Sequence, residues 1–203
     1  ISRKLTARFE RIVERRTSHG ANHILQQTFH RIDIIAFMRI LLKSITVLLL
    51  LYLYALVSLC IMALSAGRAR RLARLTGNSS FFARLGLRVL GIRVAARRLR
   101  RKGLRQRRTN YLIIANHLTY VDILVVASLM PSVFITSVEL KQIFPLGLFA
   151  WLGGCLFVER RSRAGLKREI EEIASVLAEG TSVVLFPEGT TSNGDTVRPF
   201  KNS

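Results

Sequence analysis

The sequence predicts an α/β fold: a mixed sheet flanked by helices, preceded by N-terminal membrane-embedded helices. Three observations carry this expectation. An uncharged apolar run of about 20 residues lies in the first third of the chain. Short apolar runs alternate with helical patterns after residue 110. Two polar, chemistry-bearing segments each follow directly on such a short run, where open α/β sheets place their sites.

Residues 1–33 form a basic N-terminal segment. Leu5, Phe9, Ile12 and Val13 recur at helical spacing among Arg3, Lys4, Arg8, Arg11, Arg15 and Arg16, the pattern of a short amphipathic helix. A solvated tail fits these residues equally well. Residues 34–91 are expected to hold the membrane-embedding helices. Residues 44–66 carry no charge and are long enough to cross a hydrocarbon core of roughly 30 Å. A buried soluble helix is the plainer alternative, but such helices seldom lack a polar face for so long. The run lies too far along the chain for a secretory signal peptide. Residues 81–90, with Arg84 and Arg88, read as a second, interfacial helix.

Residues 92–203 are expected to form the α/β domain. Strands are predicted at 111–115, 132–137, 153–158 and 181–186, and helices at 119–130 and 163–179. Pro131 stops the first helix and Gly180 the second. Cys60 and Cys155 form no framework and read as small buried hydrophobes. The chain begins at Ile1 and stops at Ser203, just past a motif-rich stretch, and reads as a piece of a longer protein.

The net charge of +20 calls for a polyanionic partner, a nucleic acid or an anionic membrane surface. No acidic residue stands between Asp33 and Asp122, and residues 68–108 hold 15 basic ones. The aromatics in or beside that region are Phe81, Phe82 and Tyr111, which do not interleave with it as base-stacking platforms would. Anionic lipid is therefore the expected partner and no nucleic acid is expected. A membrane-anchored nucleic-acid-binding protein stays as the alternative from another class.

The first chemical segment is Asn116-His117-Leu118-Thr119-Tyr120-Val121-Asp122. His117 leaves a predicted strand, and Asp122 falls in the first turns of the next helix. A carboxylate at that separation can fold back onto an imidazole nitrogen, fix its tautomer and stabilise its protonated form. His117 could then act as a general base. Taken alone the spacing is weak: with four histidines it arises by chance roughly one time in five. The second segment is Phe186-Pro187-Glu188-Gly189-Thr190-Thr191-Ser192. Gly189 permits close approach to a ligand, and the hydroxyls offer donors to phosphate or other headgroup oxygens. An ordinary Gly-rich turn is the plain alternative. Between the two lies Phe157-Val158-Glu159-Arg160-Arg161, whose arginines suit bidentate phosphate contacts.

In content and order these three segments resemble the blocks of the glycerolipid acyltransferase family, which includes the 1-acyl-glycerol-3-phosphate acyltransferases. The resemblance covers about residues 85–203. It implies an O-acyltransferase of membrane phospholipid synthesis at a bacterial inner membrane, its catalytic part cytoplasmic. His117 would be the general base and Asp122 its partner. A lysolipid hydroxyl would attack an acyl thioester, acyl-CoA or acyl-carrier protein, without an acyl-enzyme, a metal or another cofactor. Arg160 would bind the acceptor's phosphate; Asn116, Glu188, Gly189, Thr190 and Thr191 would shape its pocket. Glu159 stands where the family usually has Asp. Thr191 stands where lysophosphatidate-specific members often carry Arg, and the block looks more like those acting on larger-headgroup lysophospholipids or lyso-ornithine lipids. The family's fourth block is expected beyond Ser203. A relative that binds lipid without turnover is a third reading; the intact His117 and Asp122 argue against it.

Overall fold

The computed structural model describes residues 34–96, 110–159 and 165–188. The expected basic N-terminal helix lies outside them. The first helix, α1, runs Ile34–Leu64. Its 31 residues correspond to about 46 Å at 1.5 Å per residue, more than a bilayer core needs. By length and composition it is a candidate membrane span. It begins ten residues earlier than the uncharged run, so Arg39 and Lys43 are part of it.

The chain divides into two units after Thr46. The described part of the first is the opening of α1, exposed along nearly its whole length. The second unit begins with the rest of α1. There Tyr54 and Ser58 are buried on one side of the helix, while Leu48, Tyr52, Leu56 and Leu59 stay open. The buried pair meets α2, Arg68–Leu90. The Asn78 amide donates to the Ser58 hydroxyl at 2.9 Å, and the hydroxyls of Tyr54 and Ser79 lie 3.2 Å apart.

α2 includes the short helix expected at 81–90 but starts 13 residues before it. One stripe, from Leu72, Leu75 and Thr76 through Ser80, Ala83 and Leu87, is buried. Apart from the adjacent Leu75 and Thr76, these residues recur every three or four positions, so they fall on one side of an α-helix. That side packs against the later helix α3 and strand β2 rather than lying free on an interface. The arginines at 70, 71, 74, 84 and 88 occupy the exposed side. Gly91, at φ +79°, ends the helix: its N–H reaches the Arg88 carbonyl and the next N–H reaches Leu87. Glycine takes this left-handed conformation without a Cβ clash.

The sheet follows. Its strands are β1 (Leu112–Ile114), β2 (Ser132–Ser137), β3 (Leu156–Val158) and β4 (Ser182–Leu185), in the order β1-β4-β2-β3. Every pairing among these described strands is parallel, where a mixed sheet had been expected. Parallel neighbours need crossovers. These are α3 (Val121–Leu129), a 3₁₀ turn (Val138–Gln142) with α4 (Leu146–Leu152), and α5 (Leu166–Ala178).

Period-two alternation sorts the strand side chains between two faces. Val133, Ile135 and Val183 pack with Val176 of α5 and with Leu72. Phe134, Val184 and Phe186 pack with Ala127 of α3 and with Ala83. Helix therefore covers both faces, as a parallel sheet requires. Cys155 was expected to be buried; it is half-buried at the edge of the core, and the burial of its thiol pushes it up to about 12. Cys60 corrects the other half of that expectation: it lies exposed on the outer side of α1, because the apolar run around it faces outward.

Candidate active site

Parallel pairing brings the carboxyl ends of β1 and β4 to the same edge of the sheet: Ile114 stands opposite Leu185. The chemical segments leave from there, His117 three residues beyond β1 and Phe186 directly after β4. The two meet. The imidazole of His117 stacks on the Phe186 ring with centroids 4.4 Å apart and planes 21° from parallel. Behind it, Phe186 lies stacked against Phe134 at 6.3 Å. Tyr120 stands edge-on to the imidazole at 6.5 Å. The histidine ring thus rests on a buried aromatic floor.

Asp122 holds the ring from the side. Its Oδ2 lies 3.3 Å from His117 Nδ1. The same oxygen accepts the backbone N–H of Leu118 at 2.6 Å and of Thr119 at 2.8 Å. Thr119 Oγ1 in turn accepts the Val121 N–H at 3.2 Å. Side-chain oxygens of Thr119 and Asp122 thus tie down the turn that leads into α3, satisfying backbone N–H groups there. The hydrogen-bonded turn before α3 therefore holds the carboxylate against the imidazole.

The electrostatics follow from these partners. Burial by itself pushes the Asp122 carboxyl up. The N–H groups of Thr119 and Leu118, then His117, pull it down further, and it ends below the ordinary carboxylate range. It is an anion at neutral pH. An anion accepting from Nδ1–H leaves Nε2 as the nitrogen free to take a proton. The His117 and Asp122 side chains are 14 % and 24 % exposed, so the pair is neither sealed nor bathed in water.

Asn116 sits exposed at the end of β1. Glu188 is 2 % exposed, two residues beyond Phe186. Among the described residues neither of its carboxylate oxygens has a hydrogen-bond partner. A buried carboxylate without donors is costly and calls for an explanation in function. Glu159 leaves β3, two strands away from β4, and its N–H donates to Glu169 Oε1 at 2.7 Å. Arg160, Gly189, Thr190 and Thr191 lie outside the described residues. No cluster of three or more metal-ligating side chains occurs among the described residues. The structure adds Phe186 to the residues singled out by sequence, together with the Leu118 and Thr119 amides. The ring stacking, a contact between distant segments, had no local signal.

Comparison with known proteins puts this geometry in context. A protein-family model described as Acyltransferase matches residues 93–203. A lyso-ornithine lipid O-acyltransferase from Rhizobium meliloti is 39 % identical over 115 residues, covering 57 % of this chain and 38 % of that protein. One of the same name from Brucella abortus is 36 % identical over 124 residues, covering 61 % and 45 %. A 1-acyl-sn-glycerol-3-phosphate acyltransferase from Neisseria gonorrhoeae is 34 % identical over 90 residues, covering 44 % and 35 %. The chain thus spans less than half the length of each of these relatives. The crystal structure of the 1-acyl-sn-glycerophosphate acyltransferase PlsC from Thermotoga maritima superposes with a TM-score of 0.54 at 19 % identity, over 79 % of this chain and 65 % of that one. That likeness is one of fold. The family match spans the parallel sheet, His117, Asp122 and the segment around Glu188, and the chain belongs to the acyltransferase family.

Proposed function

We propose that the protein transfers a fatty acyl group from an acyl thioester to the hydroxyl of a lysolipid. The observation that carries this reading is the His117–Asp122 contact, with Asp122 anionic and Nε2 left for a proton. The acceptor hydroxyl attacks the thioester carbonyl and His117 Nε2 takes its proton. The C–S bond breaks, and the imidazolium returns the proton to the departing thiolate. Asp122 stabilises the imidazolium between these steps. The donor is acyl-CoA or acyl-carrier protein, and no metal or other cofactor takes part.

Arg160 meets the anionic group of the acceptor. Asn116, Glu188, Gly189, Thr190 and Thr191 line the acceptor's polar end. Glu188, buried without donors among the described residues, is suited to an acceptor that supplies them. Two acceptor classes fit: lysophosphatidate-like lysophospholipids and lyso-ornithine lipid. The names of the relatives at 39 % and 36 % identity, and Thr191 in place of an arginine, favour lyso-ornithine lipid. An ornithine headgroup carries an amine, a donor that would answer Glu188. The protein acts at the bacterial inner membrane with its catalytic domain on the cytoplasmic side. The arginines that follow α1 support that orientation.

The test supplies membrane-reconstituted protein with labelled acyl-CoA or acyl-carrier protein and a panel of lysolipids. Transfer to lyso-ornithine lipid above lysophosphatidate is the expected result. Transfer to lysophosphatidate alone would move the acceptor to the other class. No transfer to any lysolipid from either donor would overturn the reading.

A further inference from the structure

Between Lys141 and Glu159 no residue is charged. In an ordinary crossover such a stretch would be buried, but here much of it faces outward. Phe144 is 83 % exposed and Trp151 48 %, and Ile143, Leu146 and Leu148 are open as well. The backbone holds them there. The Gly147 N–H donates to the Ile143 carbonyl at 2.8 Å and the Phe149 N–H to that of Pro145 at 3.1 Å. A Cβ on Gly147 would lie 2.5 Å from the Leu140 carbonyl oxygen, so α4 is pressed tightly onto the 3₁₀ turn. The C-terminal end of α4 is anchored in the protein by Leu152, which is fully buried.

On its inner side α4 touches α1. The Tyr54 hydroxyl donates to the Phe149 carbonyl at 3.3 Å, and the two rings lie 6.1 Å apart. Leu48, Tyr52, Leu56 and Leu59 extend the exposed apolar surface along α1. Soluble proteins rarely expose so many large apolar side chains on neighbouring elements, and exposed aromatics such as Phe144, Trp151 and Tyr52 suit the headgroup–acyl boundary. Lys141, at the start of the stretch, is held 4.7 Å over the Phe157 ring and adds a cation beside the patch.

We propose that residues 143–151 form a second membrane contact, inserted into the same bilayer as α1, so that the catalytic domain itself is seated on lipid. This rests on reading α1 as a membrane helix. Trp151 is the only tryptophan in the chain, so its fluorescence reports on this segment alone. The protein is reconstituted into phosphatidylethanolamine–phosphatidylglycerol vesicles with brominated acyl chains, and vesicle flotation is measured in parallel. The expected result is flotation, with Trp151 emission quenched at least twofold by the brominated chains and insensitive to aqueous iodide. Phe144→Asp, at an exposed position, should float and lose most of the lipid quenching. Flotation with iodide quenching and no lipid quenching overturns the second contact and leaves α1 as the anchor. Quenching by neither means that protein, such as a second copy, covers the segment, and also overturns it. Failure to float overturns the membrane reading and the proposal together.

Discussion

Asp122→Asn separates the two duties of this residue, tying down the turn before α3 and holding His117. The substitution keeps one oxygen that can accept from the amides but removes the charge. Charge-assisted hydrogen bonds contribute about 1 kcal/mol more than neutral ones. Two amide N–H groups donate to Oδ2, so the stability loss should be about 2 kcal/mol. For a domain of this size that lowers the thermal midpoint by about 4–8 °C. Catalysis should suffer more. A unit charge 3.3 Å from the imidazolium is worth about 5 kcal/mol at an effective dielectric of 20. Asp122 is about a quarter exposed, and solvent there reduces this to about 3 kcal/mol. Each 1.36 kcal/mol is tenfold in rate, so kcat should fall about 10²–10³-fold. The assay is single-turnover transfer of a labelled acyl group, with folded protein quantified by thermal denaturation. A kcat within about threefold of wild type, or a loss that vanishes when scaled to folded protein, would refute the role of Asp122 at His117 and leave it a support of the turn.

The same carboxyl gives a pH signature. Its pKa is lower folded than unfolded, so its stabilising effect is present above about pH 4 and fades as pH falls through the folded value. The difference in thermal midpoint between wild type and Asp122→Asn should therefore be full at pH 7 and shrink on acidification below about pH 4; a gap that widens there would contradict the assignment. Phe186→Leu conserves most of the volume and removes the ring under His117, so it should cost less than about 1.5 kcal/mol of stability. Loss of the stacking contact should lower kcat by about three- to tenfold; unchanged kcat would show that the ring is packing only. Gly147→Ala forces a Cβ onto the Leu140 carbonyl and should cost about 1–3 kcal/mol in a denaturant titration, and a neutral result would contradict the tight seating of α4.

Residues 132–137 show what a local signal can deliver. Pro131 and the apolar run mark the strand, and β2 occupies the same six residues. α2 shows what it cannot. Its first half looked like basic flank because arginines crowd it, while its buried stripe mixes leucines with Thr76 and Ser80, which hydropathy does not pick out. The short helix α4 went unseen because its outward apolar residues break the expectation that apolar means buried. In the site, the spacing of His117 and Asp122 and the order of the three segments pointed to the chemistry. The Phe186 stack did not, since it depends on β1 and β4 being neighbours, and strand order is not written in any local pattern. The sequence roles of Arg160, Gly189, Thr190 and Thr191 fall outside the described residues.

The most direct test of the central claim is the rate of labelled acyl transfer by His117→Gln against wild type, at matched folded protein in the same bilayer and with the acceptor the panel identifies. Glutamine keeps a polar side chain next to Asp122 but cannot take the acceptor's proton. Loss of general-base catalysis typically contributes 10²–10⁴-fold, so a fall of at least about 10²-fold in kcat, with the fold intact, is the expected result. Transfer by His117→Gln within tenfold of wild type would contradict the account.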